Sequence, residues 1–517
     1  MQRTALLVAG AWLCLAALSC GCWKMQEVYV GEGDAGGTDT VAGVVVGAVK
    51  AGGGGEDTSL SIAALPDGSC YITGYIKVAA TFGEGDPGET VLTPQGSAIG
   101  DIYLARYNPD LTLDWAVIAG GEEGDGGLAV TALPDESAVI AGYYRVDATF
   151  GAGDPNEIVL EGTDQQKSIF LARYSPGGEL VWAVRASSEI TAAAAEVRGI
   201  SSLPDGSLVV TGWFIENVVF GEGEPNQTTL YAAGGPGNIN GFVARYGEDG
   251  TFEWARRFGS QGSAVGNGVS AGDDGIYTTG YFGATVTFGS AGEPVELEAE
   301  GEWDSFVVCY GFDGSVQWAV GGRGEYDAVG RGVSALAGGG AFTAGYYRQQ
   351  VVFGLDGPGE TTLSGQGMRD IFTAVFDDSG QPEWAAGAGG AAIDSETDVG
   401  RACATLPAGG GLVTGWFSGE AGFGGVQEPS EVTLTSGGTK DAFVARYASD
   451  SGLVWARRIG GPGEDRGYGV APLEDGTFLV TGSFQGAATF EEEDDLVPEI
   501  TLQAQGNTDI FLARYLL

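Results

Sequence analysis

The chain of 517 residues contains no histidine. This removes the imidazole general base, the Ser-His-Asp and Cys-His nucleophile systems, and imidazole metal ligation. Any catalysis would rest on carboxylates, Tyr, Lys or Arg. Cysteine is scarce: six, at positions 14, 20, 22, 70, 309 and 403. The last three fall in different repeats at different repeat positions, which is neither a disulfide framework nor a zinc spacing, so buried free thiols are expected. Basic residues are few, 24 against 69 acidic, giving a formal charge of −45. Such a field repels phosphate backbones, so nucleic acid is not an expected partner. No amphipathic helical pattern occurs after the first twenty residues. Beyond the N-terminal apolar run, no segment approaches the ~18 apolar residues a spanning helix needs.

Glycine, by contrast, is abundant, at 93 residues. It follows no Gly-X-Y period and lies between short apolar runs, as in turn-rich all-β chains. At the N-terminus, MQRTALLVAGAWLCLAALSC has a basic residue (Arg3), an apolar run from Ala5 to Leu18 and a small residue before Cys20. That is the layout of a secretory signal peptide. An ordinary cleaved signal would release a free product. The small-residue–cysteine ending resembles instead a bacterial lipoprotein signal, which implies cleavage before Cys20 and acylation of its side chain. Ala17 and Leu18 depart from the usual order, and Cys22 after Gly21 is an alternative acceptor. The expected organisation is a signal over 1–19, a lipid-anchored Gly- and acid-rich tether over 20–40, and a folded body over 41–517.

That body is a repeat. One phrase recurs at Tyr103–Tyr107, Phe170–Tyr174, Phe242–Tyr246, Phe306–Tyr310, Phe372–Phe376, Phe443–Tyr447 and Phe511–Tyr515, its last aromatics 67, 72, 64, 66, 71 and 68 residues apart. Between copies come a Gly-aromatic step (Gly74, Gly142, Gly212, Gly280, Gly345, Gly415, with Gly482 followed by Ser483) and a Phe-Gly step at Phe82, Phe150, Phe220, Phe288, Phe353 and Phe423. A Trp-Ala step follows at Trp115, Trp182, Trp254, Trp318, Trp384 and Trp455. Each unit reads as four short strands, rich in β-branched and aromatic residues and punctuated by Gly, Asp and Pro. Seven such units predict a seven-bladed all-β propeller. The chain stops just after the seventh third strand. The stretch Val44–Gly53 aligns with a fourth strand, with Gly47 in the place of Trp. An N-terminal strand is therefore expected to complete the last blade and remove the open sheet edge.

The order Trp, Gly-Gly, Asp-Gly, Val-Thr-Gly, Phe and Asp-x-Phe-x-Ala-basic, best seen from Trp455 to Gly482, resembles the SBBP β-propeller repeats of bacterial secreted and surface proteins. The resemblance covers about residues 41–517. It departs in having Phe-Gly for Phe-Pro and Arg-Tyr for Lys-Leu. It implies a fold and a surface location, but no shared reaction.

Candidate sites are diffuse. The third-strand arginines (106, 173, 245, 446 and 514) could ring an anion, but Cys309 and Val375 interrupt the set. These arginines and Asp101, Asp304, Asp370, Asp441 and Asp509 are expected to satisfy each other or nearby backbone. The loops after Phe-Gly carry Glu84, Asp86 and Glu89; Asp154 and Glu157; Glu222 and Glu224; Glu293 and Glu296; Asp356 and Glu360; and Glu491 to Asp495. Periodicity places them at one rim. None has the Ca²⁺-loop spacing, so a solvated rim is expected, with Ca²⁺ a weak alternative and no cofactor or metal site predicted. Asp450–Trp455 superficially resembles a sialidase Asp-box but reads as a hairpin turn, and the tryptophans read as inter-blade packing. No catalytic residue is assigned. The leading expectation is a monomeric, non-enzymatic outer-membrane or cell-surface lipoprotein binding an envelope protein or polysaccharide. A carboxylate-based glycan hydrolase and a purely structural surface protein are the other two readings.

Overall fold

The computed structural model describes residues 42–517 apart from 97–99, 163–165, 188–193, 260, 290–293, 355–356, 358, 392–397, 408, 425–431 and 491–498. Every regular element described is a strand. Seven antiparallel four-stranded blades follow one another in chain order around a central channel. The first consists of Asp57–Ala64, Cys70–Ile76, Asp101–Tyr107 and Leu113–Ala119, from the axis outward. The remaining innermost strands are Gly126–Ala132, Ala194–Ser202, Ala264–Ala271, Ala328–Ala335, Val399–Thr405 and Arg466–Pro472. Each meets the innermost strands of both neighbouring blades.

The seventh blade is shared between the chain ends, as expected. Its outermost strand is Val45–Gly53, which pairs with Asp509–Leu516 through Ala48↔Ala513 and Val49↔Leu512. Gly47 sits opposite Arg514, the register at which Trp182 sits opposite Arg173 in the second blade.

One element exceeds the four-strand reading. Each Phe-Gly step belongs to a short extra hairpin, such as Asp147–Phe150 with Ile158–Glu161, inserted between the second and third strands. The hairpin extends the sheet of the preceding blade: Gly52 pairs with Thr81, Gly322 with Phe353, Ala388 with Phe423 and Ile459 with Phe490. Its anchor is the phenylalanine. Phe82, Phe150, Phe220, Phe353 and Phe423 lie 4.9, 4.9, 5.1, 5.2 and 4.9 Å from the first aromatic of their own third strand. Three or four residues of alternating burial are a weak strand signal, which is why the Phe-Gly phrase reads as a loop from sequence.

The blades are fastened by three recurrent devices. Buried tilted aromatic pairs bind each hairpin to its blade, and such pairs are worth ~0.5–1.5 kcal/mol beyond area burial. Hydroxyls of the innermost strands cross to the next blade, where the Ser61 and Ser201 side chains accept from Val130 N and Ala271 N, both at 3.1 Å. The outermost Trp lies over the next blade's hairpin turn. Trp115, Trp182, Trp254, Trp318 and Trp384 donate their indole N–H to Pro176, Glu248, Phe312, Asp378 and Ser449 carbonyls at 2.9–3.1 Å. The tryptophans are therefore inter-blade packing. The turn beneath needs glycine: Gly178 has φ +86°, and a Cβ there would come within 2.9 Å of the Trp115 ring.

Candidate functional site

The two faces of the ring differ in kind. The lower face carries the turns between first and second strands and between third and fourth. Here the third-strand arginines act as clamps. Arg173 donates to Asp135 at 2.7 Å and to the Glu248 carbonyl of the next blade at 3.0 Å; Arg245 does the same with Asp205 and Phe312 at 2.8 and 2.9 Å. Arg106 reaches the Pro176 carbonyl at 2.9 Å, and Arg514 reaches Asp475 and the Pro109 carbonyl. Arg446 holds the same register, opposite Trp455. Arg106, Arg173, Arg245 and Arg514 thus spend donors on turns of their own blade or the next rather than on one shared opening. Hydrogen bonds from Ser207, with the Arg245 charge, hold the Asp205 carboxyl below the usual range.

Of the two partners expected for the Asp set, the arginines or nearby backbone, the structure shows mainly the backbone. Asp101, Asp304, Asp370 and Asp509 accept from the backbone N–H groups of Gln95, Glu300, Gly367 and Gln505 at 2.9–3.1 Å. Asp441 also takes an arginine, Arg458 of the outermost strand. A second buried row, Asp57, Asp125, Asp398 and Asp465, fastens four of the seven blades to the one before. Asp125, for example, accepts from Gly121 N at 2.8 Å and Arg145 N at 2.9 Å. Burial pushes Asp57, Asp125, Asp398 and Asp465 up to about 7, with a neighbouring carboxylate of the first row contributing in each case. These paired acids resemble a hydrolase dyad only in composition. Each accepts from at least one backbone amide inside the sheet, although Asp304 and Asp441 each keep one oxygen with no partner among the described residues.

The acidic loops recur at one place, the outer edge of the lower face. Several cap strands: Asp86, Asp154 and Glu224 accept from Leu113, Leu180 and Phe252 N at 2.8, 3.0 and 2.9 Å. Glu89 and Glu157 close their own turns. Glu293, Asp356 and Glu491–Asp495 lie outside the described residues, as do Cys20 and Cys22. The Asp450 turn is the third hairpin connection of its blade, closed by Ala448 N to Gly452 O at 2.8 Å. Cys70, Cys309 and Cys403 are free thiols.

The upper face is different chemically. The aromatics after the repeated Gly stand around the channel mouth: Tyr75, Tyr143, Trp213, Tyr281, Tyr346 and Trp416. Cations lie over several of them. Lys167 is 3.7 Å from the Tyr143 centroid, Arg369 is 4.5 Å from Tyr346 and Arg466 is 5.1 Å from Trp416. Lys167 also pairs with Glu196, and Arg466 with Glu464. On a chain of charge −45, this concentration of lysine and arginine at one opening stands out.

Below the mouth the channel narrows to a cavity of about 180 Å³. Its shape follows from a β-bulge in every innermost strand, where register shifts leave one residue unpaired. In blade order these are Leu60, Leu128, Arg198, Asn267, Arg331, Arg401 and Tyr468, and all seven line the cavity. A larger cavity of about 600 Å³ lies at the periphery, between hairpins of the fifth and sixth repeats, but its wall is mostly Gly, Ser, Thr and Ala, with Asp370 and Glu420 its charged residues. The channel is the stronger candidate, since polar groups converge there from several blades. The arginines that line this cavity are not those of the third strands, for which a structural role was expected. The informative signal was variability: the bulge position differs between repeats inside an otherwise constant phrase.

No protein-family model matches the chain. It is 27% identical over 303 residues to an uncharacterized WD repeat-containing protein of Acanthamoeba polyphaga mimivirus; the match covers 50% of this chain and only 22% of that protein. Among solved structures it resembles a protein of unknown function from Dyadobacter fermentans DSM 18053, with TM-score 0.30 and 11% identity over 76% of this chain and 94% of that one. Rhamnogalacturonan lyase YesW gives TM-score 0.22 and 10% identity over 90% and 91% of the two chains. Superpositions this loose carry no argument about function. The chain is a β-propeller repeat protein.

Proposed function

We propose that the protein is a non-enzymatic binding scaffold that engages a protein or polysaccharide of the cell envelope through the upper mouth of its channel. The observation that carries this reading is the ring of aromatics, half-buried except for the buried Tyr346, interleaved with lysine and arginine on an otherwise acidic molecule. Aromatic and arginine groups are the anchors of recognition surfaces, and propellers present their loops at such openings. The lower face offers no comparable set, because its arginines are committed to inter-blade clamps. The buried carboxylates do not favour a hydrolase, as they lie within the sheets and accept from backbone N–H groups, Asp125 with both of its oxygens.

The scaffold acts as a monomer, held at the outer membrane or cell surface by lipid on Cys20. Trp416→Ala and Trp213→Ala, checked for unchanged melting, should abolish capture of a competable partner from envelope extract or a glycan array, whereas Trp182→Ala at the ring's outer wall should not. Equal capture by all variants would sink the assignment of the mouth. Cys20→Ala should move the protein from the membrane to the soluble fraction; continued membrane association would refute the anchor.

A further inference from the structure

Four consecutive bulge residues, Arg198, Asn267, Arg331 and Arg401, form a polar arc on one side of the neck, and Leu60 and Leu128 face them across it. Three guanidinium groups thus project into one small cavity. Their protein partners are few. Arg198 donates to Glu196 at 2.8 Å and to Asn267 Oδ1 at 2.9 Å, and Asn267 is itself fixed by donating to the Gly330 carbonyl at 2.7 Å. Arg331 packs 5.5 Å from the Tyr346 ring, and its Nε has no hydrogen-bond partner among the described residues. Arg401 makes no hydrogen bond or ion pair with any described residue. Glu196, the acid within reach, is shared between Arg198 and Lys167.

Like charges brought together in a half-buried cavity cost free energy unless something neutralises them. Burial and the charges of Arg331 and Arg198 pull Arg401 down to about 10. Stability would favour an apolar residue here, as in the first two blades, where leucine fills the same bulge. Planar guanidinium groups with free donors are suited to the oxygens of a carboxylate, sulfate or phosphate. A cavity of about 180 Å³ is smaller than the ~300–1,000 Å³ of pockets that enclose a whole drug-sized ligand. It has room for a single anionic group, with the rest of its carrier lying at the mouth.

We propose that Arg198, Arg331 and Arg401 form an oxyanion-binding site in the neck of the channel, one that takes the anionic group of an acidic glycan entering from the aromatic mouth. The anion site stands on the neck geometry alone; the glycan as carrier rests on the binding-scaffold reading. The test is thermal melting and calorimetric titration of the full chain with sulfate, phosphate and glucuronate, against chloride of matched ionic strength. The oxyanions should raise the melting temperature, and glucuronate should do so more than sulfate or phosphate if a sugar ring adds contact. Losing one charge-assisted donor weakens binding about tenfold or more. Arg401→Gln and Arg331→Gln should each do that, while Arg185→Gln on an outermost strand should not.

Without anion, Arg401→Gln should melt no lower than the parent, because it relieves repulsion; a purely structural arginine would lower it. No response to any oxyanion beyond chloride, or unchanged affinity in both neck variants, would overturn the site. If sulfate and phosphate bind and glucuronate does not, the glycan carrier is refuted and the anion site stands. Partner capture that persists in the neck variants leaves the scaffold reading standing, so the two fail separately.

Discussion

Gly47 and Leu111 show how closely single residues are matched in this ring. Six outermost strands carry a tryptophan that covers the next blade's turn, and the turn residue beneath the first of these is Gly178. At the seventh junction the tryptophan is replaced by Gly47. The turn facing it carries Leu111, whose side chain comes within 3.2 Å of where a Gly47 Cβ would lie. Leu111 adopts φ 64°, a conformation that costs a non-glycine residue ~1–3 kcal/mol, yet it is 4% exposed. The volume it fills outweighs the strain. Leu111→Gly should therefore lower stability by about 1–3 kcal/mol, the cavity term exceeding the relieved strain. The double variant Leu111→Gly with Gly47→Trp should recover most of that loss in thermal or denaturant unfolding. Additive destabilisation would show that the two positions are not coupled. Gly47 in the tryptophan's place was visible in the sequence; Leu111 as its complement was not, because the two are neighbours only once the ring is closed.

At the scale of elements, the same strand pattern is legible or hidden according to length. The four blade strands run seven to nine residues in most repeats and announce themselves by alternation and glycine punctuation. The inserted hairpins have strands of three or four residues and a solvated side, so they read as acidic loops. Yet their phenylalanines are among the most buried side chains, Phe150 at 0% exposure. Phe150→Ala should cost about 3–5 kcal/mol, as large as a change in the blade core, and would be seen as a lower melting temperature. A loss below 1 kcal/mol would mean the hairpin is an ornament. Ring closure depends on Val45–Gly53, which fills the edge of Asp509–Leu516. A chain lacking residues 42–53 should expose that edge and associate. Size-exclusion chromatography should then show oligomers or aggregate, and an unchanged monomer would refute the closure role.

For the whole molecule, the buried aspartates set an unusual pH dependence. Asp57, Asp125, Asp398 and Asp465 are raised by burial to about 7, and Asp101, Asp304 and Asp370 to about 6. A raised folded-state value means the folded chain holds protons that the unfolded chain has released. That stability is fully present below about 4 and is lost as pH climbs through 6 and 7. Asp205 and Asp249 work in the opposite sense. Hydrogen bonds from Ser207 and Thr251 lower them, so their contribution is present above about 4 and disappears on further acidification. Self-repulsion from a formal charge of −45 also eases as carboxylates protonate. The melting temperature should therefore be higher near pH 5 than at pH 8, by scanning calorimetry in matched salt. A higher value at pH 8 would show that the buried rows are ionised in the fold. Rising salt should raise stability at pH 8, since the Debye length falls to ~10 Å at 0.1 M.

By itself, the sequence determined the blade count, the four-strand unit, the shared seventh blade and the packing role of the tryptophans. Each is a local pattern repeated at a fixed spacing, and repetition makes weak propensities add. The tertiary structure alone decided the charge pairings and the candidate site. The third-strand arginines turned out to bond to turns of the next blade, about 70 residues away. Arg198, Arg331 and Arg401 are separated by two repeats and by one, and share a cavity only because seven blades converge on one axis. Side chains brought together by closure of the ring leave no local trace. Their one mark in the sequence is a position that varies where the repeat is otherwise constant.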